Sequence, residues 1–364
     1  MKFTIVRSKF LEGLKSVQNV VAAKGSLPVL QNVLLKASAG KLVMTTTDLD
    51  VSILSEADCE VAEEGATTLP VKLLSSSVLT ADEGLIEIST DAQERATIVA
   101  GSARFKIAGL PATDFPALPE DEDAYAYVLP KQTLREMLRK TAYAASQDDT
   151  RRTLKGVLMS FKDSKLTMVA TDGRRLALIE NEVEFPVDAA RDVILPSKAV
   201  QELQRLLNGE GNLRMKVQQS QICFDLGSQK IYSKLMDDSY PNYAQVIPSE
   251  CSQKVIIDRQ LLINAIGRAS VMTMDEQHSI RFVFEGNRLT VSSAASEVCE
   301  AHDEVAIKYA GEKIEILFNP SYVLDPLKAI DDDEISFNLN NGHTPAVIRC
   351  SSPFLYVLMP LRVS

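Results

Sequence analysis

Apolar and polar positions alternate in short runs along most of this chain, and the runs recur in blocks. In 165–179, Leu166, Met168 and Ala170 alternate with polar neighbours, the period of a half-buried strand. Asp172-Gly173 then permits a sharp or positive-φ backbone step, Arg174 and Arg175 follow, and Leu176–Ile179 resumes apolar character. Kindred stretches begin at Lys41 (KLVMTTTDLD) and at Arg288 (RLTVSSAASE). The three start roughly 120 residues apart, the size of a compact domain and far longer than a solenoid repeat.

The flanks repeat as well. A helical period over 10–23, 134–145 and 261–271 leads into strands at 33–37, 156–161 and 279–284. A strand running into a second helix follows, at 67–79, 193–207 and 314–328. Pro70, Pro196 and Pro320 hold the same point of each block, where a strand ends and a helix can carry proline in its first turn. Three strands close each block: 85–90, 94–99 and 103–108; 212–217, 221–226 and 229–235; 334–339, 345–350 and 354–359. The pattern predicts an α+β fold of three tandem repeats, 1–120, 125–247 and 254–364. An acidic, proline-punctuated connector at 119–124 and an extended Tyr/Pro segment at 239–248 mark the joins.

With 364 residues, 45% of them hydrophobic, the chain can bury several cores. No run approaches the roughly 20 apolar residues of a membrane span, and the apolar start is too short for a signal peptide, so a cytoplasmic protein is expected. Cys59, Cys223, Cys251, Cys299 and Cys350 are odd in number and scattered, which suits reduced thiols rather than a disulfide or zinc framework. His278, His302 and His343 lack ligand spacing, and the acidic run 331–334 reads as a solvated turn. No phosphate-binding loop or nucleophile motif appears, so no cofactor, metal or catalytic residue is expected. The net charge is −10. The first helix of each of the first two blocks nevertheless runs positive: Arg7, Lys9, Lys15 and Lys24 against Glu12, then Lys131, Arg135, Arg139 and Lys140 against Glu136. Cationic helices on an acidic remainder are a footprint for a polyanion.

Leu27-Pro-Val-Leu-Gln-Asn32, Ala170-Thr-Asp-Gly-Arg-Arg-Leu-Ala177, Tyr240-Pro-Asn-Tyr243, Ser321-Tyr-Val-Leu-Asp325 and Tyr356-Val-Leu-Met-Pro-Leu-Arg362 together resemble the bacterial DNA polymerase III beta subunits, the beta sliding clamps. The resemblance spans the whole chain in order. It implies a head-to-tail homodimeric ring of six similar domains, with twelve helices lining a hole for double-stranded DNA and sheets outside. Such a ring confers processivity by tethering the catalytic subunit of DNA polymerase III, and it also meets the clamp loader and other replication and repair proteins. The resemblance further implies a peptide-binding cleft. Leu154, Thr171, Gly173, Arg174, Arg175, Leu176, Pro241 and Val246 would form one side, and Val357, Met359, Pro360, Leu361 and Arg362 the other. Arg174 stands where some relatives have histidine, and Gln245 where some have arginine. Lys24, Arg151 and Lys198 match DNA-contacting positions, whereas Arg152 and Thr153 replace tyrosines of some members. Phe105 and Ile107 of one subunit would meet Met272 of the other. Two rival classes are a peptide-binding scaffold without a DNA role, separated by retention on DNA, and an enzyme on repeated domains, separated by nuclease or ATPase assay.

Overall fold

Strand and helix follow one another in the same order three times, save for one extra short strand, Glu60–Glu63, in the first repeat. The structure is a computed structural model that describes residues 1–21, 27–118, 125–271, 279–293 and 300–361. The first repeat comprises β1 (Lys2–Val6), α1 (Arg7–Val17), β2 (Asn32–Ser38), β3 (Lys41–Thr47), β4 (Val51–Asp58), β5 (Glu60–Glu63), β6 (Gly65–Pro70), α2 (Val71–Thr80), β7 (Leu85–Thr90), β8 (Arg95–Ala100) and β9 (Ala103–Ala108). The second comprises β10 (Ala126–Pro130), α3 (Lys131–Thr141), β11 (Gly156–Lys162), β12 (Lys165–Thr171), β13 (Arg175–Glu182), β14 (Arg191–Pro196), α4 (Ser197–Leu206), β15 (Asn212–Val217), β16 (Gln221–Asp225) and β17 (Gln229–Lys234). The third comprises β18 (Gln253–Asp258), α5 (Arg259–Ser270), β19 (Ile280–Glu285), β20 (Arg288–Ser293), β21 (His302–Lys308), β22 (Ile314–Phe318), α6 (Pro320–Ala329), β23 (Glu334–Leu339), β24 (Ala346–Arg349) and β25 (Phe354–Leu358).

These elements gather into two compact units that do not coincide with single repeats. One holds Met1–Leu134 with Lys198–Leu235, the other Arg135–Ser197 with Met236–Ser364. The first unit contains a five-stranded sheet, β5-β1-β7-β8-β9, and an eight-stranded sheet, β10-β15-β16-β17-β4-β3-β2-β6. Its α1 buries Phe10, Leu14 and Val17. At Gly13 the space a Cβ would take is filled by the end of the Met44 side chain, whose Cε would lie 2.1 Å away. The second unit contains a twelve-stranded sheet, β14-β11-β12-β13-β25-β24-β23-β18-β21-β20-β19-β22. In its third-repeat portion Phe282, Phe284, Phe318 and Phe337 pack with ring centroids 5.6–6.2 Å apart. Each such buried ring contributes about 1.5–3 kcal/mol of transfer free energy.

The closing strands lie within a residue of their expected bounds, whereas the helices shift. α1 starts at Arg7 and stops at Val17, because Asn19, Val20 and Val21 are weak helix formers and Val20 N turns back to Val17 O. α3 likewise begins early and gives way to a 3₁₀ turn at Ala142–Ala144. α5 begins at Arg259, capped by Asp258, whose carboxylate accepts the Leu261 N–H at 2.8 Å. Pro70 and Pro196 end edge strands, where a missing N–H is tolerated, and only Pro320 enters the helix itself. Strands β1, β10 and β18, which feed straight into α1, α3 and α5, escaped the periodicity reading.

Candidate functional site

The turn 171–175 between β12 and β13 in the second unit is held by a dense set of its own hydrogen bonds. Asp172 Oδ1 accepts the N–H groups of Arg174 at 2.8 Å and Arg175 at 3.0 Å. Thr171 Oγ1 accepts the Gly173 N–H at 3.0 Å and donates to Arg175 O at 2.6 Å. Gly173 sits at φ +86°, a left-handed conformation that glycine adopts without a Cβ penalty. The first repeat builds the same turn: Asp48 Oδ1 accepts from Asp50 at 3.1 Å and Val51 at 2.8 Å, and Leu49 takes φ +79°. These aspartates hold hairpins, as short side chains that bond their own backbone do.

Arg175 anchors the turn from below. Its Nε meets Asp172 Oδ2 at 3.0 Å, Nη1 meets Asp325 Oδ2 at 2.5 Å, and Nη2 donates to Tyr143 O at 2.6 Å. The guanidinium lies 4.4 Å from the ring centre of Tyr322 and 5.8 Å from that of Tyr143. Its side chain is 11% exposed. Burial opposes the charge, but the surrounding Tyr356, Asp325 and Asp172 outweigh it and hold the arginine protonated above its ordinary range. Asp325 and Tyr322 come from α6, where Pro326 supplies no N–H to the carbonyl of Tyr322. The buried Tyr356 hydroxyl donates to that carbonyl at 2.7 Å, so the proline leaves no orphan acceptor there.

Beside the turn lies an apolar floor. Leu176 pairs with Val357 and Leu178 with Leu355 across β13 and β25. With Leu158, Val169, Ile194 and Val347 these form one cluster, and Met236, Tyr240, Tyr243 and Ile247 of the extended segment after β17 pack against it. Leu176 and Val357 are buried, so they form floor rather than wall. Val246 and Met359 are 47% and 39% exposed. The tail leaves the sheet after Leu358: Met359 N donates to Arg174 O at 2.9 Å, Pro360 follows, and Leu361 N donates to Leu317 O at 2.8 Å. The structure thus joins Thr171, Gly173, Arg174, Arg175, Leu176, Val357 and Met359 through direct bonds or strand pairing. Leu154, Pro241 and Val246 belong to adjoining segments, and Arg362 lies outside the described residues.

Models of the DNA polymerase III beta subunit match this chain in three consecutive pieces: the N-terminal domain over residues 1–119, the central domain over 128–242 and the C-terminal domain over 244–362. The chain belongs to that family. The beta sliding clamp of Chlamydia muridarum is 32% identical over 363 residues, covering 100% of this chain and 99% of that protein. That of Pseudomonas aeruginosa is 33% identical over 368 residues, with 100% of both chains covered. Among solved structures, the Pseudomonas aeruginosa clamp bound to griselimycin superposes with a TM-score of 0.96 at 33% identity, and the griselimycin-bound clamp of Bartonella birtlesii with 0.95 at 35%; each comparison covers 100% of both chains. The chain is therefore a three-domain clamp and, like its family, a non-catalytic processivity factor of DNA replication.

The other expected residues are placed less simply. Lys24 and Met272 lie outside the described residues. Lys198, at the start of α4, is ion-paired with Asp48 of the first hairpin turn, and its ammonium also faces Val20 O at 3.4 Å. Arg151 Nη1 donates to Asp172 O at 2.9 Å, so this loop arginine touches the turn described above. β9 is an edge strand, but Ile107 is already 7% exposed against its own chain, while Phe105 is half-buried. Sequence reasoning missed Tyr143 and the bonding roles of Asp325 and Tyr322. The only signal at hand was the Ser321–Asp325 motif, which said nothing of a partner 150 positions away.

Proposed function

We propose that two copies close head to tail into a ring around duplex DNA, and that the apolar floor with its rim is the cleft that tethers the polymerase. In this reading 1–120, 125–247 and 254–364 are the three domains of each subunit in a cytoplasmic complex. The observation that carries the cleft is the pairing of a rigid turn with a partly exposed Met359 and Val246 over a buried apolar floor. Such a surface offers a short hydrophobic peptide a methionine that adapts and backbone groups that orient. The catalytic subunit of DNA polymerase III, the clamp loader and other replication and repair proteins would share it, and griselimycin would occupy it as a small ligand.

The ring reading rests on open strand edges. β9 has a ladder partner on one side, and β21 pairs through His302–Ala306 with β20 while only Ile307 and Lys308 also meet β18. Arg104 and Lys106 share the exposed face of β9 and would meet Glu304 on the exposed face of β21, and Phe105 would add an apolar anchor beside Met272, next to the 74% exposed Val271. Lys24, Arg151 and Lys198 would make weak, sequence-blind phosphate contacts. The test is topological. Protein loaded on a nicked circle should stay bound, and cutting the circle should release it by sliding off the ends. Equal retention on both forms sinks the ring. Phe105→Arg should halve the native mass at micromolar concentration, and an unchanged dimer would move the interface elsewhere.

A further inference from the structure

We infer that Arg151 is a positioning residue of the cleft: it braces the turn 171–175 whether or not DNA is present. Three observations converge. The guanidinium donates to the carbonyl of Asp172 at 2.9 Å. A Cβ built on Gly173 would lie 2.8 Å from the same Nη1, so the arginine fills the space that the missing side chain leaves. Arg151 is itself held in place: its N–H donates to Asp148 O at 3.1 Å, its Nε faces Asp148 Oδ2 at 3.7 Å, and its own carbonyl accepts from Leu154 N at 3.0 Å. Asp148 is oriented in turn by accepting from Thr150 N at 2.9 Å and Thr150 Oγ1 at 2.8 Å.

Apart from the bond that Arg174 O accepts from the tail, the turn's remaining bonds are internal or reach down through Arg175. Arg151 supplies the restraint from the loop that also carries Leu154. The restraint matters to the far wall as well, because Arg174 O holds Met359 N. A turn released from Arg151 frees its 172–173 peptide, and the loosening can pass along the turn to the 174–175 peptide, whose Arg174 carbonyl holds the tail. The Asp172 carbonyl would then exchange a fixed charge-assisted donor for water.

This inference rests on the cleft reading, and the experiment separates the two. The full-length protein, without DNA, is titrated with griselimycin by calorimetry. A chain ending at Leu358 reports on the cleft itself, and undiminished binding by it overturns the cleft reading. Arg151→Ala should weaken griselimycin binding about five- to thirtyfold, and the deficit should persist in 1 M salt, where the screening length falls to about 3 Å. Wild-type affinity, or a deficit that vanishes in salt, overturns the inference. Gly173→Ala supplies the second readout. It should weaken binding more in the native background than in the Arg151→Ala background, where its methyl meets no guanidinium. Additive effects of the two substitutions refute the brace even should Arg151→Ala lower overall stability.

Discussion

Replacing Arg175 with methionine tests the ion cluster that holds the turn to α6. Methionine keeps most of the apolar stem and removes the guanidinium. Three bonds disappear, and Asp172, Asp325 and the Tyr143 carbonyl lose their shared partner. Breaking a buried pair by removing one member costs about 3–5 kcal/mol, chiefly because the other charge is stranded. Asp172 is 14% exposed in its side chain and Asp325 33%, so water reaches the second carboxylate and the lower end applies. About 3 kcal/mol, at roughly 2–4 °C per kcal/mol for a unit of this size, lowers the melting temperature by about 6–12 °C. Differential scanning calorimetry and urea unfolding read both quantities. Adding Asp172→Asn and Asp325→Asn to Arg175→Met should recover a good part of the loss. Asparagine removes the stranded charges while its side-chain oxygen can still hold the turn N–H groups. A single variant within about 0.5 kcal/mol of wild type would refute the reasoning, because surface substitutions behave that way and buried charge clusters do not.

Two further outcomes follow from neighbouring groups. The Tyr143 hydroxyl is buried without a hydrogen-bond partner among the described residues, and burial pushes its pKa well up. Tyr143→Phe should therefore be neutral or stabilising by up to about 1 kcal/mol in urea unfolding, and a loss beyond that would mean the hydroxyl has a partner after all. The hydrogen bond from Arg268 holds Asp303 below the usual carboxylate range. A depressed folded pKa stabilises above the unfolded value of about 3.9 and loses that contribution as pH falls through the folded one. Asp303→Asn should thus cost under about 1 kcal/mol at pH 7, since Arg268 is largely exposed, and the gap should close as pH falls below the unfolded value and through the depressed folded one. A gap independent of pH would show that the bond contributes nothing through its charge.

The repeat was legible because period-two alternation and turn residues are local properties. Asp172 read correctly as a turn residue from its immediate neighbours alone, and its counterpart Asp48 closes the kindred stretch that begins at Lys41. What stayed hidden depends on partners far along the chain. Arg175 reaches Asp325, Arg151 reaches the Asp172 carbonyl, and Tyr356 satisfies a carbonyl freed by Pro326, none of which leaves a trace in local composition. Helix ends failed for a different reason. A strand that runs directly into a helix, as β1 does into α1, has no turn residue to mark the change of period, so the eye places the boundary too late.

Strand β25 lies between β13 and β24, yet roughly 180 residues of chain separate it from β13. Translation at about 5–20 residues per second makes β13 wait on the order of ten to forty seconds for that partner. During the interval Leu176, Leu178 and Ile179 flank an unpaired edge, the kind of surface that holdase chaperones intercept. A ribosome that stalls within the third repeat releases a product in which β13 never gains that partner. If the apolar floor is the tethering cleft, as proposed above, such a fragment would be unable to compete with intact rings for polymerase, and pairing the two distant strands would double as proofreading of the completed polypeptide.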